Sequence, residues 1–462
     1  MASTLAAFDP DLVRRLDGRG PRYTSYPTAD RFVEAFGPEA YRAMVERCAA
    51  VGIERALALY VHLPFCRHLC FYCGCNKIVT RDRAKAARYL DYLGREIELQ
   101  AALFGAGRVV GGMHWGGGTP TYHDIGALRG LWQRLARHFE FAAGGDYSIE
   151  ADPRTVDGAT IAALRELGFN RVSFGVQDLD PEVQAAVHRV QSEAQTFGAI
   201  DAARRAGFAS VNVDLIYGLP KQDLLRFNRT LARVVEARPD RIALYNYAHL
   251  PALFAPQRRI DAADLPRPET KLELLALAVK RFAAAGYDYI GMDHFALPGD
   301  ALAVARRQGR LQRDFQGYST RPAGDLVGLG VSAIGAVGPS YSQNFRTLQE
   351  YYERLDRGEL PVMRGIELGV DDLLRRAVIQ ALMCDVALSK RALGIAYLVD
   401  FDAYFERELG QLAEFERLGL IATDGEWISV TPRGRFVVRS ICQVFDRYIG
   451  RARDGARYSR VI

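Results

Sequence analysis

The chain has 462 residues, a formal net charge of +5 and seven cysteines. Its length predicts two or three domains, and its composition is that of a soluble globular protein without a transmembrane helix. The slight positive charge, with no dense stripe of lysine and arginine, argues against nucleic-acid binding. The amino terminus lacks a secretory pattern, so we expect reduced thiols, a cytoplasmic location and no membrane association.

Strand-like and helical patterns alternate from about residue 55 to about residue 300. The predicted strands are 56–61, 109–115, 147–150, 171–176, 210–216, 241–247 and 287–292. The predicted helices are 84–101, 125–138, 160–167, 194–206, 224–236 and 268–285. This alternation predicts an α/β fold with a parallel sheet, open or closed as a barrel, whose chemistry lies beyond the carboxyl ends of the strands.

The composition changes near residue 365. Helical patterns cover 371–384, 401–418 and 435–449, and a hairpin with an Asp-Gly turn is predicted within 420–430. This order resembles a winged helix, but the mixed charges favour a packing role over DNA binding. We predict an N-terminal segment over 1–50, a catalytic unit over 51–362 and a mainly helical C-terminal domain over 363–462.

Four cysteines lie within ten residues, directly after the first predicted strand. Cys66, Cys70 and Cys73 have the spacing C-x3-C-x2-C, and Cys75 follows two residues later. A [4Fe–4S] cluster normally takes four thiolates, so a compact triplet can hold three irons and leave the fourth open. An open iron is where S-adenosylmethionine can be bound and reductively cleaved to a radical.

Two other uses of these cysteines are weaker interpretations. A structural zinc site usually pairs two knuckles separated by a dozen or more residues, but the next cysteine here is Cys384. A disulfide is unexpected in a chain without a secretory segment. The cysteines outside the group, Cys48, Cys384 and Cys442, are most simply core residues.

The cysteine spacing after a strand resembles the signature of the radical S-adenosylmethionine superfamily. The resemblance narrows to the oxygen-independent coproporphyrinogen III dehydrogenases (oxidases) through five blocks. These blocks are GPRYTSYPTA at 20–29, YVHLPFC at 60–66, CGCNK at 73–77, GGTPT at 117–121 and LIYGLP at 215–220. The resemblance covers nearly the whole chain, and it implies a partial (β/α)6 barrel with a C-terminal helical, winged-helix-like domain and an N-terminal segment over the barrel mouth.

The family resemblance also implies a set of site residues. Cys66, Cys70 and Cys73 would ligate the cluster, and two S-adenosylmethionine molecules would bind per chain. The residues implied for the first molecule are Tyr60, Gly117, Glu150 and Ile334. Those implied for the second are Tyr72, Gly118, Thr119, Gln177, Arg189, Asp214 and Ala248. The catalytic candidates are Tyr60, Cys75, Phe315 and Gln316.

Some of these residues also have a physical argument of their own. Glu150 ends a predicted strand and suits ribose hydroxyls. Asp214 lies in an apolar run, where a carboxylate is costly to bury without a partner. Cys75 is either a small buried residue or a thiol close to the substrate. For any single polar residue, a surface ion pair or a helix cap is the simpler interpretation.

The implied activity is that of an oxidoreductase of haem biosynthesis. A 5′-deoxyadenosyl radical would take a hydrogen atom from a propionate, which would then lose CO2 and one electron. Two propionates of coproporphyrinogen III would become the vinyl groups of protoporphyrinogen IX. The substrate carries four carboxylates, so Arg22 is a candidate substrate-binding residue. We also expect a donor such as a flavodoxin or ferredoxin, low oxygen and a monomeric protein.

Two other functions remain open at this point. A haem-binding chaperone of the same family would share the cysteine triplet and would not be an enzyme. Chaperones of this branch usually lack both a cysteine at the position of Cys75 and the N-terminal block around Arg22 and Tyr23, and this chain has all three residues. A haem-degrading radical methyltransferase would instead give a methylated, ring-opened product.

Overall fold

The computed structural model describes residues 8–16, 18, 20–52, 56–105, 107–320 and 324–449. The outermost residues of two predicted units, 1–7 and 450–462, lie outside the described residues. Within the described ranges, no helix combines the length and apolar character that crossing a bilayer requires.

The strands extend from the first predicted strand into the C-terminal region. They are β1 (Leu57–Leu63), β2 (Phe65–Cys66), β3 (Ile78–Val79), β4 (Val109–Gly117), β5 (Glu140–Ala151), β6 (Arg171–Gln177), β7 (Ser210–Tyr217), β8 (Arg241–Asn246), β9 (Asp288–Gly291), β10 (His294–Ala296), β11 (Gln312–Asp314), β12 (Gly317–Ser319), β13 (Asp325–Leu329), β14 (Ile334–Val337), β15 (Ser340–Asn344), β16 (Val362–Glu367), β17 (Ala387–Ser389), β18 (Ile421–Thr423) and β19 (Trp427–Val430).

The helices alternate with the first strands and then dominate the C-terminal region. They are α1 (Pro10–Arg15), α2 (Pro38–Ala50), α3 (Arg83–Phe104), α4 (Ile125–His138), α5 (Gly158–Leu167), α6 (Pro181–Ala186), α7 (Glu193–Arg205), α8 (Leu224–Ala237), α9 (Pro268–Ala284), α10 (Ala301–Arg307), α11 (Leu348–Asp356), α12 (Val370–Cys384), α13 (Lys390–Tyr397), α14 (Phe401–Tyr404), α15 (Glu406–Arg417) and α16 (Val438–Gln443).

The main sheet has the strand order β16-β15-β14-β13-β1-β4-β5-β6-β7-β8-β10-β9. The strands from β13 to β8 in this order are parallel. β1, β4, β5, β6, β7 and β8 are each followed by a helix before the next strand of the main sheet, which confirms the predicted partial (β/α)6 barrel. The strand order ends at β16 and β9, each of which pairs antiparallel with one neighbour. Within the described residues the sheet is therefore open at these two strands.

Two parts of the sheet differ from the sequence prediction. The seventh predicted strand, 287–292, is β9, which pairs antiparallel with β10 at the edge and does not extend the parallel set. β13, β14, β15 and β16 were not predicted. β13 pairs in parallel with β1, so a segment more than 250 residues away in sequence completes the wall beside the cysteine loop.

Side chains at alternate positions of the parallel strands face opposite sides of the sheet. One set is apolar and buried under the helices, namely Leu59, Val61, Trp115, Ile149, Phe174, Val213 and Leu244. The other set is polar and lines one internal cavity, namely Tyr60, His62, His114, Ser148, Glu150, Ser173, Asn212, Asp214 and Tyr245. The period of two therefore separates a hydrophobic core from a polar barrel interior.

Five of the barrel helices, α3, α4, α5, α7 and α8, begin at side chains that satisfy their first free N–H groups. The capping residues are Asp82, Asp124, Asp157, Ser192 and Asp223, each of which accepts a hydrogen bond from the residue three positions later. These caps fix where each helix starts after its strand, and so they fix the loops at the carboxyl ends.

The C-terminal region contains the predicted hairpin, β18 and β19, but the sheet has a third strand, β17. The predicted helix 401–418 is broken at Phe405, whose backbone leaves the helical region at φ −106° and ψ 22°. Its buried ring packs between Phe401 and Phe445, which explains the break. The predicted helix 435–449 is shorter, because it starts with a 3-10 turn over Gly434–Val437 before α16.

The N-terminal segment lies against the C-terminal domain. Arg439 Nε donates a 3.0 Å hydrogen bond to the carbonyl oxygen of Pro21. The Tyr23 hydroxyl donates to Asp446 Oδ2 at 3.1 Å, and Tyr23 is only 2% exposed. These contacts hold residues 20–26 beside the barrel interior, where Arg22 lines the cavity. The boundary predicted between 362 and 363 falls at β16, which still belongs to the main sheet.

Candidate active site

The cysteine loop follows β1 and is anchored on both sides. The Phe71 N–H donates to the Val187 carbonyl at 2.9 Å, and the His188 ring nitrogen Nδ1 lies 2.7 Å from the Leu69 carbonyl oxygen. The rings of Phe71 and His188 stack with centroids 5.0 Å apart. The loop before α7 therefore packs against the cysteine loop and places Arg189 beside it.

The thiols of the cysteine triplet are surrounded by hydrogen-bond donors. Cys66 Sγ lies 3.5 Å from Thr119 Oγ1, and Cys70 Sγ lies 3.5 Å from Arg189 Nη1 and 4.0 Å from Arg154 Nη2. Burial raises the pKa of Cys66 to about 11. For Cys73, the hydrogen bond from the Cys75 thiol lowers the pKa.

Asp152 ties both arginines to the cysteine loop. Its Oδ2 lies 2.6 Å from Arg154 Nη2 and 3.2 Å from Arg189 Nη1. Burial raises the pKa of Asp152, but the charges of Arg189 and Arg154 and the hydrogen bonds from Arg154 outweigh burial and leave it below its ordinary value. One buried carboxylate therefore holds two cations against the thiol of Cys70.

The glycine run after β4 packs on the start of the cysteine loop. The N–H groups of Gly118 and Thr119 donate to the carbonyl oxygens of Leu63 and Phe65, both at 2.9 Å. A Cβ at Gly118 would lie 2.5 Å from the Pro64 carbonyl, and one at Gly117, where φ is +109°, would lie 2.5 Å from the His62 ring. Any side chain at either position would push the two loops apart.

A cavity of about 590 Å³ occupies the barrel interior. It contains many of the sequence-predicted residues, namely Arg22, Tyr60, Cys75, Gly117, Glu150, Asp214, Phe315, Gln316 and Ile334. The other predicted residues are not among its lining residues, namely Cys66, Cys70, Cys73, Tyr72, Gly118, Thr119, Gln177, Arg189 and Ala248. They lie around the cysteine loop instead, as the contacts above and below describe.

Glu150 marks the end of the cavity near the cysteine loop. Its Oε1 lies 3.2 Å from His114 Nε2, and its Oε2 accepts the Gly117 N–H at 3.3 Å. Burial raises the pKa of Glu150, but His114 and the Gly117 amide outweigh burial and hold it below the ordinary value. The ring of His114 stacks on that of Tyr60. The hydroxyl oxygen of Tyr60 lies 3.0 Å from His62 Nδ1. Glu150 is therefore held as a carboxylate.

Asp214 lies deeper in the same cavity. It accepts hydrogen bonds from Ser173 Oγ at 3.0 Å and Asn212 Nδ2 at 2.8 Å. Burial and, next, the charge of Glu150 raise the pKa of Asp214 to about 7, although both hydrogen bonds oppose this rise. Asp214 can therefore gain or lose a proton near neutral pH, unlike Glu150.

Several residues predicted for a second cofactor molecule lie close together near Asp214. Gly175 pairs with Asp214 across β6 and β7. A Cβ at Gly175 would lie 2.9 Å from both Arg189 Nη2 and Gln177 Nε2, so these side chains meet over this glycine. Gln177 itself has a positive φ of 67°, which turns the chain out of the strand.

The predicted residues Tyr72 and Ala248 are joined by a glutamine that the sequence did not single out. Gln257 Nε2 donates to the carbonyl oxygens of Tyr72 at 3.0 Å and Ala248 at 3.2 Å. Gln257 is 2% exposed, so this bridge is part of the buried framework. It fixes the loop after β8 to the cysteine loop.

The arginines Arg22 and Arg313 also line this cavity. Arg22 forms an ion pair with Asp293 and lies over the ring of Tyr245, with Cζ 5.7 Å from the centroid. Arg313 donates from Nε and Nη2 to the carbonyl oxygen of Arg22. Burial, followed by the charges of Arg313 and Arg22, lowers the pKa of His294 to about 3. The cavity wall therefore has two cations beside a neutral imidazole.

The three sulfur donors fit an iron–sulfur cluster better than a single ion. Thiolates are the ligands that such clusters take, and Arg154, Arg189 and Lys77 surround them with positive charge. Among the described residues, no three His, Cys, Asp or Glu side chains are placed to hold one metal ion. A structural zinc ion needs four donors around one centre, whereas an iron–sulfur cluster with one open iron needs three thiolates.

Sequence reasoning missed several residues that shape this cavity. His114, Ser173 and Asn212 are polar residues at alternate positions of otherwise apolar strands, so a period of two would have found them. Arg313 and His294 gave no such signal, because the residues that they contact, Arg22 and Tyr245, lie in distant segments.

Residues 60–234 match the model of the Radical SAM superfamily, and residues 368–437 match that of the HemN C-terminal domain. The oxygen-independent coproporphyrinogen III oxidase of Pseudomonas aeruginosa is 49% identical over 457 residues, which cover 98% of this chain and 99% of that relative. The enzyme of the same name from Escherichia coli (strain K12) is 47% identical over 455 residues, which cover 98% of each chain.

The fold agrees with a solved structure over almost its full length. That structure, described as coproporphyrinogen III oxidase (HemN) from Escherichia coli, a radical SAM enzyme, aligns with a TM-score of 0.91 at 47% identity and covers 96% of this chain and 99% of that chain. The family implies a [4Fe–4S] cluster and S-adenosylmethionine, and the cysteine loop supplies the fitting donors. The chain therefore belongs to the oxygen-independent coproporphyrinogen III oxidase family of radical S-adenosylmethionine enzymes.

Proposed function

We propose that this chain catalyses the oxygen-independent oxidative decarboxylation of two propionates of coproporphyrinogen III, giving protoporphyrinogen IX. The observation that carries the proposal is one cavity lined both by the carboxylates Glu150 and Asp214 and by the arginines Arg22 and Arg313, all of which act on Tyr245. A sulfonium cofactor is cationic and a tetrapyrrole with four propionates is anionic. A cavity that contains side chains of both charges suits both at once.

The cysteine loop prepares the site for the cluster. Cys66, Cys70 and Cys73 would ligate it, while Arg154 and Arg189 offset the negative charge of the thiolates. When bound, the cluster and S-adenosylmethionine supply one electron and a carbon-centred radical that takes a hydrogen atom from the propionate. The loss of CO2 and one further electron then leaves a vinyl group.

Glu150 would orient the first S-adenosylmethionine. It is held as a carboxylate by His114 and the Gly117 amide, so it can accept hydrogen bonds from ribose hydroxyls. Gly117 leaves space where a side chain would meet the His62 ring. Tyr60 and Ile334 line the same cavity and would complete the contact surface.

A second S-adenosylmethionine per chain is part of the proposal. Its support is the meeting of Gln177, Arg189 and Asp214 around Gly175, close to the cysteine loop. Gly118, Thr119, Tyr72 and Ala248 would add contacts. Of this second set, only Asp214 lines the cavity that holds Glu150, and the other residues lie around the cysteine loop, so the two sets adjoin at Asp214.

Two arginines of the cavity would hold the substrate. Arg22 and Arg313 would pair with propionates, and the walls of the barrel would exclude water from the reacting carbon. The same cavity is also lined by Phe315, Gln316, Cys75 and Tyr60, which would position the substrate.

Further parts of the proposal concern the protein in the cell. We expect a monomer in the cytoplasm, without nucleic-acid or membrane binding, that takes electrons from a flavodoxin or ferredoxin. Residues 1–50 would serve as the N-terminal segment, 51–362 as the catalytic unit and 363–462 as the C-terminal domain. The contacts of Pro21 and Tyr23 with the C-terminal domain support a role of the N-terminal segment at the cavity.

The test is an anaerobic assay of protein with a reconstituted cluster, coproporphyrinogen III and S-adenosylmethionine. We expect two CO2 and one divinyl product per substrate. Stoichiometric haem binding without CO2 would support a chaperone instead, and a methylated, ring-opened product from haem would support a methyltransferase. Either result would overturn the proposal.

A further inference from the structure

A second cavity of about 400 Å³ lies at the amino ends of the barrel strands. It is lined by the first residues of three neighbouring parallel strands and by the C-terminal domain. Representative lining residues are Leu57 of β1, Gly111 of β4, Asp325 of β13, and Arg376 and Gln380 of α12. It therefore lies at the end of the barrel opposite the cysteine loop. Part of its wall belongs to the C-terminal domain, which has no role in the chemistry proposed above.

The second cavity adjoins the first. Thr24, Arg313, Phe315, Ser319 and Leu326 line both of them. A single drug-sized ligand typically fills a pocket of about 300–1,000 Å³. The first cavity, at about 590 Å³, is sized for one such ligand, yet the proposed reaction brings a nucleoside cofactor and a tetrapyrrole together. The adjoining space is where the remainder of the larger molecule can go.

Arg313 lines both cavities, and only part of its guanidinium group is hydrogen-bonded. It is 5% exposed, and its Nε and Nη2 donate to the carbonyl oxygen of Arg22. Its buried Nη1 has no hydrogen-bond partner among the described residues. A buried, unpartnered cationic N–H is costly unless a ligand satisfies it, and a carboxylate is the acceptor that suits it best.

Arg376 brings a second cation to this cavity from α12. Its Nη1 donates a long hydrogen bond of 3.5 Å to the hydroxyl of Tyr341, and within the described ranges Arg376 forms no ion pair. The two acids that line the cavity accept backbone N–H groups, Asp314 from Gln316 and Asp325 from Gly338. The neighbouring Arg375, by contrast, is paired with Asp371 and Glu408.

We propose that this second cavity binds the propionate side chains of the substrate that do not react, with Arg376 and Arg313 as its carboxylate-binding groups. Phe315 and Tyr341, whose ring centroids are 5.7 Å apart, form an aromatic wall beside these cations. The inference rests on the proposed function. It assigns the C-terminal domain a direct part in substrate binding, because Arg376 and Gln380 belong to that domain.

The test uses the full chain with a reconstituted cluster and compares Arg376→Gln with Arg391→Gln. Arg391 is exposed on α13 and lines neither cavity, so it controls for the loss of one positive charge. We expect Arg376→Gln to raise the KM for coproporphyrinogen III by about tenfold or more, as for loss of a charge-assisted hydrogen bond, with little change in kcat. Iron content and S-adenosylmethionine binding should equal those of Arg391→Gln.

A second variant approaches the same cavity through its volume. Gly111 lines it, and a Cβ at this position meets no atom within 4 Å, so Gly111→Leu introduces no clash at its Cβ. It should also raise KM. As a binding probe, coproporphyrin III, the oxidised tetracarboxylate, should bind the wild type more tightly than its tetramethyl ester, and Arg376→Gln should reduce that preference.

The outcomes separate this inference from the proposed function. If the wild type releases CO2 from coproporphyrinogen III but Arg376→Gln and Gly111→Leu both keep the wild-type KM, the second cavity does not bind substrate. If the wild type binds the tetracarboxylate no better than its ester, the carboxylate-binding role is wrong. If the wild type releases no CO2 with an intact cluster, the proposed function itself fails.

Discussion

Arg189 Nη1 lies 3.5 Å from the Sγ of Cys70. The same guanidinium contacts Asp152 and donates from Nη2 to the Gly175 carbonyl at 2.6 Å, so it is fixed in place from three sides. A cation that touches a cluster ligand stabilises the reduced, more negative cluster, because hydrogen bonds and charge near the sulfurs set the reduction potential. Arg189 therefore connects the proposed second S-adenosylmethionine site with the reduction potential of the cluster.

Arg189→Leu should lower the reduction potential of the cluster, making it harder to reduce, while Arg189→Lys should restore part of the difference. Asp152 would keep Arg154 as a partner, so the loop should still hold iron. The measurement is a redox titration followed by electron paramagnetic resonance, with iron content determined beside it. An unchanged potential in Arg189→Leu with full iron would show that this contact has no electronic effect.

The cysteine substitutions test which thiols are ligands. Cys66→Ala, Cys70→Ala and Cys73→Ala should each abolish a stable [4Fe–4S] centre, because three thiolates are the minimum in this arrangement. Cys75→Ser should keep it, since the Cys75 thiol only donates a hydrogen bond to Cys73. Iron content and visible absorbance of the four variants settle the matter. Loss of the centre in Cys75→Ser would make Cys75 a ligand.

His114 determines the charge state of Glu150. In His114→Phe, burial would dominate and the pKa of Glu150 would rise above its ordinary value, whereas the wild-type carboxylate has a lowered pKa. S-adenosylmethionine binding to the variant should therefore weaken as the pH falls from 8 to 6, about the range in which a buried carboxyl can titrate. Binding to the wild type should stay constant over that range.

The matched control for this experiment is His114→Gln, which keeps an N–H donor at the position. It should restore much of the wild-type profile. Equilibrium dialysis with intact cluster at each pH gives the affinities. If His114→Phe binds with the same pH dependence as the wild type, Glu150 does not contact the cofactor through its charge.

Asp214 should make binding and stability respond to pH in opposite directions. Its pKa of about 7 means that the carboxylate needed for a cationic second cofactor forms only as the pH rises through neutrality. Asp214→Asn should remove one of two S-adenosylmethionine molecules per chain and abolish this pH dependence. One site in the wild type with an intact cluster would contradict the second site.

The stability consequence of Asp214 has a definite sign. Because the folded pKa lies above the unfolded value of about 4, the protonated carboxyl stabilises the fold at low pH, and this stability is lost as the pH rises through about 7. Each unit of difference is worth about 1.4 kcal/mol. The apo form of Asp214→Asn should therefore gain more in Tm over the wild type at pH 8 than at pH 4.

Substitution of Arg22 tests whether the arginines of the cavity bind the substrate. A single Arg22→Met would leave Asp293 buried without its cation, so the double variant Arg22→Met/Asp293→Asn is the fair comparison. Both should keep iron and S-adenosylmethionine binding, and both should slow single-turnover release of CO2 from coproporphyrinogen III. The lost charge-assisted contact is worth about 1.5–3 kcal/mol. Wild-type turnover in the double variant would exclude Arg22 from substrate binding.

The barrel was predictable because its strands and helices are local patterns. The strand at 171–176 and the helix at 125–138 need only the residues inside them, and both agree with β6 and α4. β13 was not predictable in the same way. It has five residues, and its place beside β1 depends on pairing with a strand far away in sequence.

The same distinction holds for the site. The cysteine triplet and the glycine run are short motifs, and the structure brings both into contact through Gly118 and Leu63. Arg313 gave no signal, because its importance comes from Arg22, which lies 291 positions earlier in the chain. When the role of a charged residue depends on residues distant in sequence, that role cannot be predicted from the residues next to it in the chain.

The contacts between the N-terminal segment and the C-terminal domain also bear on how the protein is made. Pro21 and Tyr23 leave the ribosome more than 400 residues before Arg439 and Asp446, to which they bind. During synthesis the barrel can fold first, since domains fold from the N-terminal side as they emerge. The wall that carries Arg22 is therefore completed only after Arg439 and Asp446 have been synthesised, and the interior of the barrel stays open until then.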